Sequence, residues 1–291
     1  MSEVGQLLVA GIAIGSVYAL VALGFVLIYR ATNVVNFAQG DLAMLGAYAL
    51  LVTLTVFHLP FWLAGLVSLG VMAVVGILFG LGLYYPLRNR GFMPIIVATI
   101  GASVLFENGI VAGFGASPHV VTGMFGTGSF HIGSVFVNDQ YALLVGILVV
   151  VTAFQFWFFE GTLLGKKMQA VSQDKQMALL LGIPVGLMIV ITFSYSTALA
   201  GLAGVLVSPV LFVSAGLGSG ITMNAFAATV IGGFGDVTGA IVGGLVLGLV
   251  DTFGGAYISF TYEQGFGMAV VILFLLFRPQ GLFGERVAEK A

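Results

Sequence analysis

The chain contains no cysteine, which excludes disulfides, thiolate nucleophiles and cysteine-based metal sites. Charge is almost as scarce. Lys, Arg, Asp and Glu make up 7% of the 291 residues, against about 25% in a soluble domain. So few charges cannot cover a water-facing surface, and lipid is expected to be the main solvent. No basic tract is present to meet nucleic acid, and a net charge of −2 gives no argument for one. His58, His119 and His131 are isolated, expected to be solvated in loops, and form no metal-ligand cluster. A Walker A loop is also missing. The nearest approach, EGTLLGKK (160–167), has Glu160 where the first glycine must stand and Lys167 where a magnesium-holding hydroxyl is needed.

What is abundant is apolar residue, 60% of the chain, with a mean hydropathy of +1.17, and glycine, 43 residues. Small residues let membrane helices approach closely. Gly11/Gly15, Gly76/Gly80, Gly109/Gly113, Gly239/Gly243 and Gly244/Gly248 stand four apart and read as generic close-packing positions. A hydrocarbon layer about 30 Å thick takes roughly 20 helical residues. Apolar runs of suitable length lie near 4–29, 41–57, 60–85, 94–114, 140–159, 184–207, 238–257 and 265–277, with a shorter one at 222–232. The expected fold is an all-α polytopic transmembrane bundle of eight or nine spans with broken or short helices, forming one integral membrane domain over 1–291. Ser2 and Glu3 stand where a secretory signal carries basic residues, so the first run is expected to be a retained span. Nine crossings with the N-terminus outside place every Lys and Arg on the cytoplasmic side.

Polar residues interrupt this pattern at two places, NVVNFAQGD (33–41) and GGFGDVTG (232–239). Non-helical backbone at membrane depth survives only inside protein or beside a wet cavity, and paired interruptions point to a transport path. Aligning Gly40-Asp41 with Gly235-Asp236 suggests a parallel internal repeat. Candidate path residues are Asn36, Phe37, Gln39, Gly40 and Asp41 at the first break, and Phe226, Gly233 and Asp236 around the second. Phe234 is a further candidate wall. Asn36, Gln39 and Asp41 have the alternative role of satisfying the broken helix. Glu107 and Asn108 fall inside one apolar run, where a polar group is either functional or a clamp to a neighbouring helix. Asp251 has the same two readings.

The charged stretch GKKMQAVSQDKQMALLLGIPV (165–185) places Lys166, Lys167, Asp174 and Lys175 within ten residues. As one helix it gathers Met168, Val171, Ala178 and Leu179 on a face with Lys175 in the middle. That is a poor pattern for lying on lipid and a tolerable one for docking into a protein groove. An ordinary solvated loop is the plain alternative.

Three segments together carry a resemblance: VVNFAQGDLAMLGAY (34–48), QAVSQDKQMALLLGI (169–183) and FAATVIGGFGDVTGAIVGGLVLG (226–248). They are similar to the permease subunits of branched-chain amino acid ABC transporters, and the likeness runs from SVYALVALGFVLIYR (16–30) through RPQGLFG (278–284). Because the chain starts close to its first span, it resembles the shorter of the two permeases such systems pair. The resemblance implies import through the bacterial inner membrane, with the C-terminus cytoplasmic. A periplasmic binding protein would deliver the substrate. A second permease, as heterodimer or homodimer, would complete the path in lipid, and two ATPase subunits would carry ATP and magnesium, leaving no cofactor on this chain. The segment 160–183 becomes the cytoplasmic coupling loop, with Gly182 as a helix C-cap, Ala178 on the docking helix, and Lys167, Asp174 and Lys175 fixing its register on the ATPase. Where this family commonly has His in the first motif, the chain has Gln39, which removes titration near neutral pH.

Rival readings remain open at this point. GFGD (233–236) satisfies the pattern of intramembrane aspartyl proteases, which requires a second carboxylate such as Asp41 or Asp251. Broken helices also suit an ion-coupled secondary transporter. Within the resemblance, urea, short amides or aromatic solutes are alternatives to leucine, isoleucine and valine.

Overall fold

A computed structural model describes residues 2–124, 128–132, 135–259, 263–278 and 280–283. All nine apolar runs are helical. In chain order the helices are α1 (Ser2–Thr32), α2 (Gln39–Thr55), α3 (Phe61–Phe79), α4 (Tyr85–Leu87), α5 (Phe92–Phe114), α6 (Asp139–Gly161), α7 (Leu163–Gln173), α8 (Lys175–Leu180), α9 (Val185–Val207), α10 (Leu217–Gly232), α11 (Val237–Tyr257) and α12 (Glu263–Phe277). A π-helical turn, Gly80–Tyr84, joins α3 to α4 without a break. Six helices among the described residues are long and apolar enough to cross a membrane alone. Helices α2, α10 and α12, with 17, 16 and 15 residues, fall short of that length. Among the described residues the strands are those of a small antiparallel hairpin, β1 (Ser129–Ile132) with β2 (Val135–Asn138).

Helix α1 is the axis of the bundle. It packs most extensively on α11 and also meets α9, α10 and α6, and its buried face includes Leu20, Leu23, Phe25 and Val26. Helix α9 bridges α1, α2 and α3. By contrast α5 and α6 lie at the margin with most of their surface open.

Glycine sets these distances. A Cβ on Gly15 would come within 2.8 Å of the Leu245 backbone, and one on Gly248 within 2.3 Å of Gly15 itself. The Gly11/Gly15 and Gly244/Gly248 pairs are therefore the two sides of one antiparallel contact between α1 and α11. Gly76/Gly80 serves α9, and Gly239/Gly243 serves α10 in the same way. Gly109 and Gly113 meet nothing within 4 Å, so spacing alone does not identify a contact.

Two local features differ from expectation. Gly40 and Asp41 lie inside the first turn of α2, whereas Gly235 has a positive φ of 95° and Asp236 precedes α11 as its N-cap. The two dipeptides thus do different work, and they lend the suggested repeat no support. His119, expected to be solvated, is half-buried, with its ring edge-on to Tyr48 at 6.1 Å. Its backbone exchanges hydrogen bonds with Val213 at 2.8 and 2.9 Å, which ties two loops together. His131's side chain and the tail beyond Phe283 lie outside the described residues.

At the other end of the chain, the segment after α12 folds back. Leu282 N donates to Ile231 O at 2.8 Å and Phe283 N to Gly232 O at 3.0 Å, so carbonyls left over at the end of α10 are satisfied.

Gly248→Leu should cost at least the roughly 1–3 kcal/mol of an overpacked core site, read as a lower thermal midpoint of the detergent-solubilised protein. Gly109→Leu should stay within about 0.5 kcal/mol of the parent. Equal midpoints for the two variants would refute the glycine contact between α1 and α11.

Candidate functional site

The break between α1 and α2 explains its own polar residues. Helix α1 ends with Asn33 at a positive φ of 59°, and Thr32 Oγ1 accepts from Val34 N at 3.2 Å. The Asn36 Oδ1 accepts from Ala38 N at 3.2 Å, and its Nδ2 donates to Gln39 Oε1 at 3.1 Å. Gln39 Nε2 then donates to Ser196 Oγ at 2.9 Å and to Ser196 O at 3.2 Å, and Ser196 Oγ donates onward to Gly24 O. Phe37 N is taken by Thr99 Oγ1 and Gly40 N by Thr222 Oγ1. Asn36 and Gln39 are 1% and 0% exposed. Their hydrogen-bonding capacity is spent on the broken backbone and on α9, so they position this site without lining it.

What the break displays is Phe37. Together with Ile100, Ser103, Ser219, Thr222, Met223 and Phe226 it lines a cavity of about 250 Å³. The rings of Phe37 and Phe226 are 5.7 Å apart, as are those of Phe226 and Phe234. The walls are apolar apart from three hydroxyls, which suits a solute with an apolar body and a few polar atoms. Behind this wall lies Asp41, 1% exposed. Its carboxylate touches Gly218 in the first turn of α10 and sits beside the Ser103 hydroxyl, although no donor completes a hydrogen bond to either oxygen. Glu107 of α5 is close enough to act on it electrostatically. Two helix N-termini, those of α2 and α10, offset that negative charge.

The remaining sequence candidates lie elsewhere. Asn108 is exposed, and its Nδ2 turns back to Val104 O at 2.8 Å on its own helix. Gly233 packs against Gly281 of the C-terminal segment. Asp236 Oδ1 accepts from Gly239 N at 2.6 Å as the N-cap of α11, next to Gly235, whose carbonyl accepts from Arg30 Nε. Asp251 borders Gly267 and Asn224. The carboxylate that acts on Asp41 is that of Glu107, and Asp236 is engaged as a cap, so neither observation supplies the aspartate pair that GxGD proteolysis requires. Among the described residues no group of His, Asp and Glu suits a metal ion. Ser103, Ser219 and Thr222 were not singled out from sequence, because single hydroxyls in apolar helices carry no distinguishing pattern.

The 165–185 segment is two helices, not one. Thr162 caps α7 through Gly165 N at 3.0 Å. Asp174 ends α7 and caps α8, its Oδ1 accepting from Gln176 N at 2.8 Å and Met177 N at 3.0 Å. The bend breaks the single helical wheel. Met168, Val171 and Ala178 face the core, but Leu179 is 64% exposed. Gly182, at φ 76°, closes α8 with Gly182 N to Leu179 O and Ile183 N to Ala178 O, both 3.0 Å. That is a Schellman cap. Lys167 is exposed, whereas Lys175 is partly buried and desolvation lowers its pKa. The outer face of α8 is mostly apolar, with Met177, Leu179, Leu180 and Leu181 open beside Gln176. Asp174, expected to contact a partner, is exposed and also serves as a cap within the chain through one of its two oxygens.

Comparison with known proteins agrees with this layout. The sequence profile of the family described as "Branched-chain amino acid transport system / permease component" matches residues 7–277. The high-affinity branched-chain amino acid transport system permease protein BraD of Pseudomonas aeruginosa is 30% identical over 98% of this chain and 97% of its own length. LivH of Escherichia coli K12, with the same description, is 30% identical over 96% and 95%, and the probable LivH of Methanocaldococcus jannaschii is 29% identical over 98% and 94%. Among solved structures, PsaBC from Streptococcus pneumoniae in complex with Fab shares the fold, with a TM-score of 0.53, 13% identity and coverage of 97% and 94%.

Gln39→Leu strands the Asn36 amide and removes both bonds to Ser196. It should destabilise the solubilised protein by about 1–3 kcal/mol in thermal or chemical denaturation. The double variant with Asn36→Leu should lose less than the sum of the two single losses, because the residues bond to each other. Additive losses would break the proposed chain of bonds.

Proposed function

The chain belongs to the branched-chain amino acid transport permease family, and on that premise we propose that it forms one half of the membrane path of an ATP-driven importer for leucine, isoleucine and valine. The family's members are transport components, not enzymes, and this is a multi-pass membrane protein. In this reading it lies in the bacterial inner membrane with its N-terminus periplasmic and C-terminus cytoplasmic. The short helices α2, α10 and α12 complete nine crossings, and all basic residues then stand on one side, as the positive-inside rule favours. A second, non-identical permease covers the open surfaces of α5 and the cavity behind Phe37. A periplasmic binding protein delivers the amino acid, and two ATPase subunits hold ATP and magnesium, with no cofactor on this chain.

The observation that carries the reading is the outer face of α8. Met177, Leu180 and Leu181 are 56%, 81% and 73% exposed on a helix too short to insert in lipid. They are held rigidly by the Asp174 cap and the Gly182 turn. An exposed apolar tip on a fixed mount fits a groove on another protein. Ion coupling gives no reason for one. Lys167 and Asp174 are exposed beside this tip, Asp174 with one oxygen engaged in the cap, and Lys175 is partly buried, so apolar burial supplies the docking energy and the charges border it.

The double variant Met177→Asp and Leu180→Asp should still insert in the membrane but lose co-purifying ATPase. ATP-driven uptake of L-leucine by the reconstituted importer should fall at least tenfold. Full uptake would remove α8 from the coupling contact.

A further inference from the structure

A second cavity, which shares no lining residue with the one at Phe37, lies between α1, α6, α7 and α11. It has a volume of about 190 Å³, room for about six waters or one small solute. Its polar lining is Arg30, Gln155, Glu160, Gln169, Asp236 and Thr238, and its apolar lining is Phe156, Phe159 and Val237. The three charges are not spent on one another. Arg30 Nε donates to Gly235 O, and one oxygen of Asp236 caps α11, but no ion pair joins Arg30 to Glu160 or Asp236. Gln155 is 1% exposed, and neither end of its amide has a hydrogen-bond partner. The Tyr195 hydroxyl lies beside it but outside hydrogen-bonding geometry. A buried primary amide without partners costs about 1–3 kcal/mol, and this one lines a cavity that holds one cation and two carboxylates.

We propose that this cavity binds a zwitterionic amino acid with an apolar side chain, at a site separate from the path through Phe37. The free guanidinium N–H groups of Arg30 meet the α-carboxylate as a planar donor pair. The ammonium donates to Glu160 and to the remaining oxygen of Asp236. Gln155 supplies both a donor and an acceptor, and the side chain rests on Phe156, Phe159 and Val237. Net charge decides the class. A simple anion leaves two carboxylates facing each other, a simple amine leaves Arg30 unpaired, and only a molecule with both ends satisfies all three. Gln169 belongs to α7, so an occupant holds α7, and through it α8, against α1 and α11. The site thereby lets free amino acid stiffen the segment assigned above to ATPase contact. This inference takes the identity of the side chain from the importer reading and the zwitterion from the cavity alone.

The test is equilibrium binding of radiolabelled L-leucine to the intact chain in lipid nanodiscs, where both faces are accessible. Unlabelled isocaproate, which lacks the ammonium, and isopentylamine, which lacks the carboxylate, serve as competitors. L-leucine should bind, neither analogue should displace it, and Gln155→Leu and Glu160→Gln should each weaken binding about tenfold. Glu160 is exposed, so its variant folds even if the Gln155 variant does not. Absence of leucine binding, displacement by either analogue, or unchanged affinity in Glu160→Gln overturns the site. Uptake by the assembled importer is read in parallel. Uptake with unchanged affinity overturns only this cavity, and weakened binding in an importer that moves no leucine overturns only the importer reading.

Discussion

Inside hydrocarbon no water is available to pair with a peptide group, so every interruption of a helix must bring its own partners. That constraint governs this molecule. The α1–α2 break at 33–38 is closed by its own Asn36 and by Thr32, Gln39, Thr99 and Thr222 from four helices. The break before α11 is closed by Arg30, by the Asp236 cap and by the returning C-terminal backbone. Because the partners come from distant helices, each break also locks those helices together. The cavity at Phe37 exists because the chain stops being helical there and has been paid for in polar bonds behind the wall.

Close approach of backbones is the second requirement, since lipid gives apolar side chains no incentive to leave it. The α1–α11 contact meets it with glycine on both sides, and the α2–α9 contact follows the same logic, with a Cβ on Gly204 falling 1.9 Å from the Ala43 carbonyl. Among the described residues helices α5 and α6 have no comparable partner, and their open faces are where an assembly has surface left to cover.

Much of this was legible in the residues. Nine apolar runs gave nine helices because long hydrophobic stretches in lipid have only one way to satisfy their backbone. Gly182 declared its cap through its place at the end of an apolar turn. The site was legible only in outline. Asn36, Gln39 and Asp41 sit within six residues, and nothing in their types says that Asn36 closes the break itself, Gln39 reaches α9 and Asp41 is aimed at α10. That division depends on how far each side chain has turned around the helix start. The bend at Asp174 was hidden because the same residue can lie mid-helix or cap the next one. Asp236 and Arg30 are 206 positions apart, so no local pattern could place them at one cavity.

The returning segment after α12 sets an order of events during synthesis. Leu282 and Phe283 complete the end of α10, yet they emerge from the ribosome only after α11 and α12 have been made. Until then the carbonyls of Ile231 and Gly232 have no final partner, and the loop that carries Arg30's acceptor is unfinished. Assembly of the bundle therefore cannot be completed span by span as the chain inserts. Its last hydrogen bonds wait for translation to reach the far terminus, which makes the integrity of that terminus a condition for closing the middle of the protein.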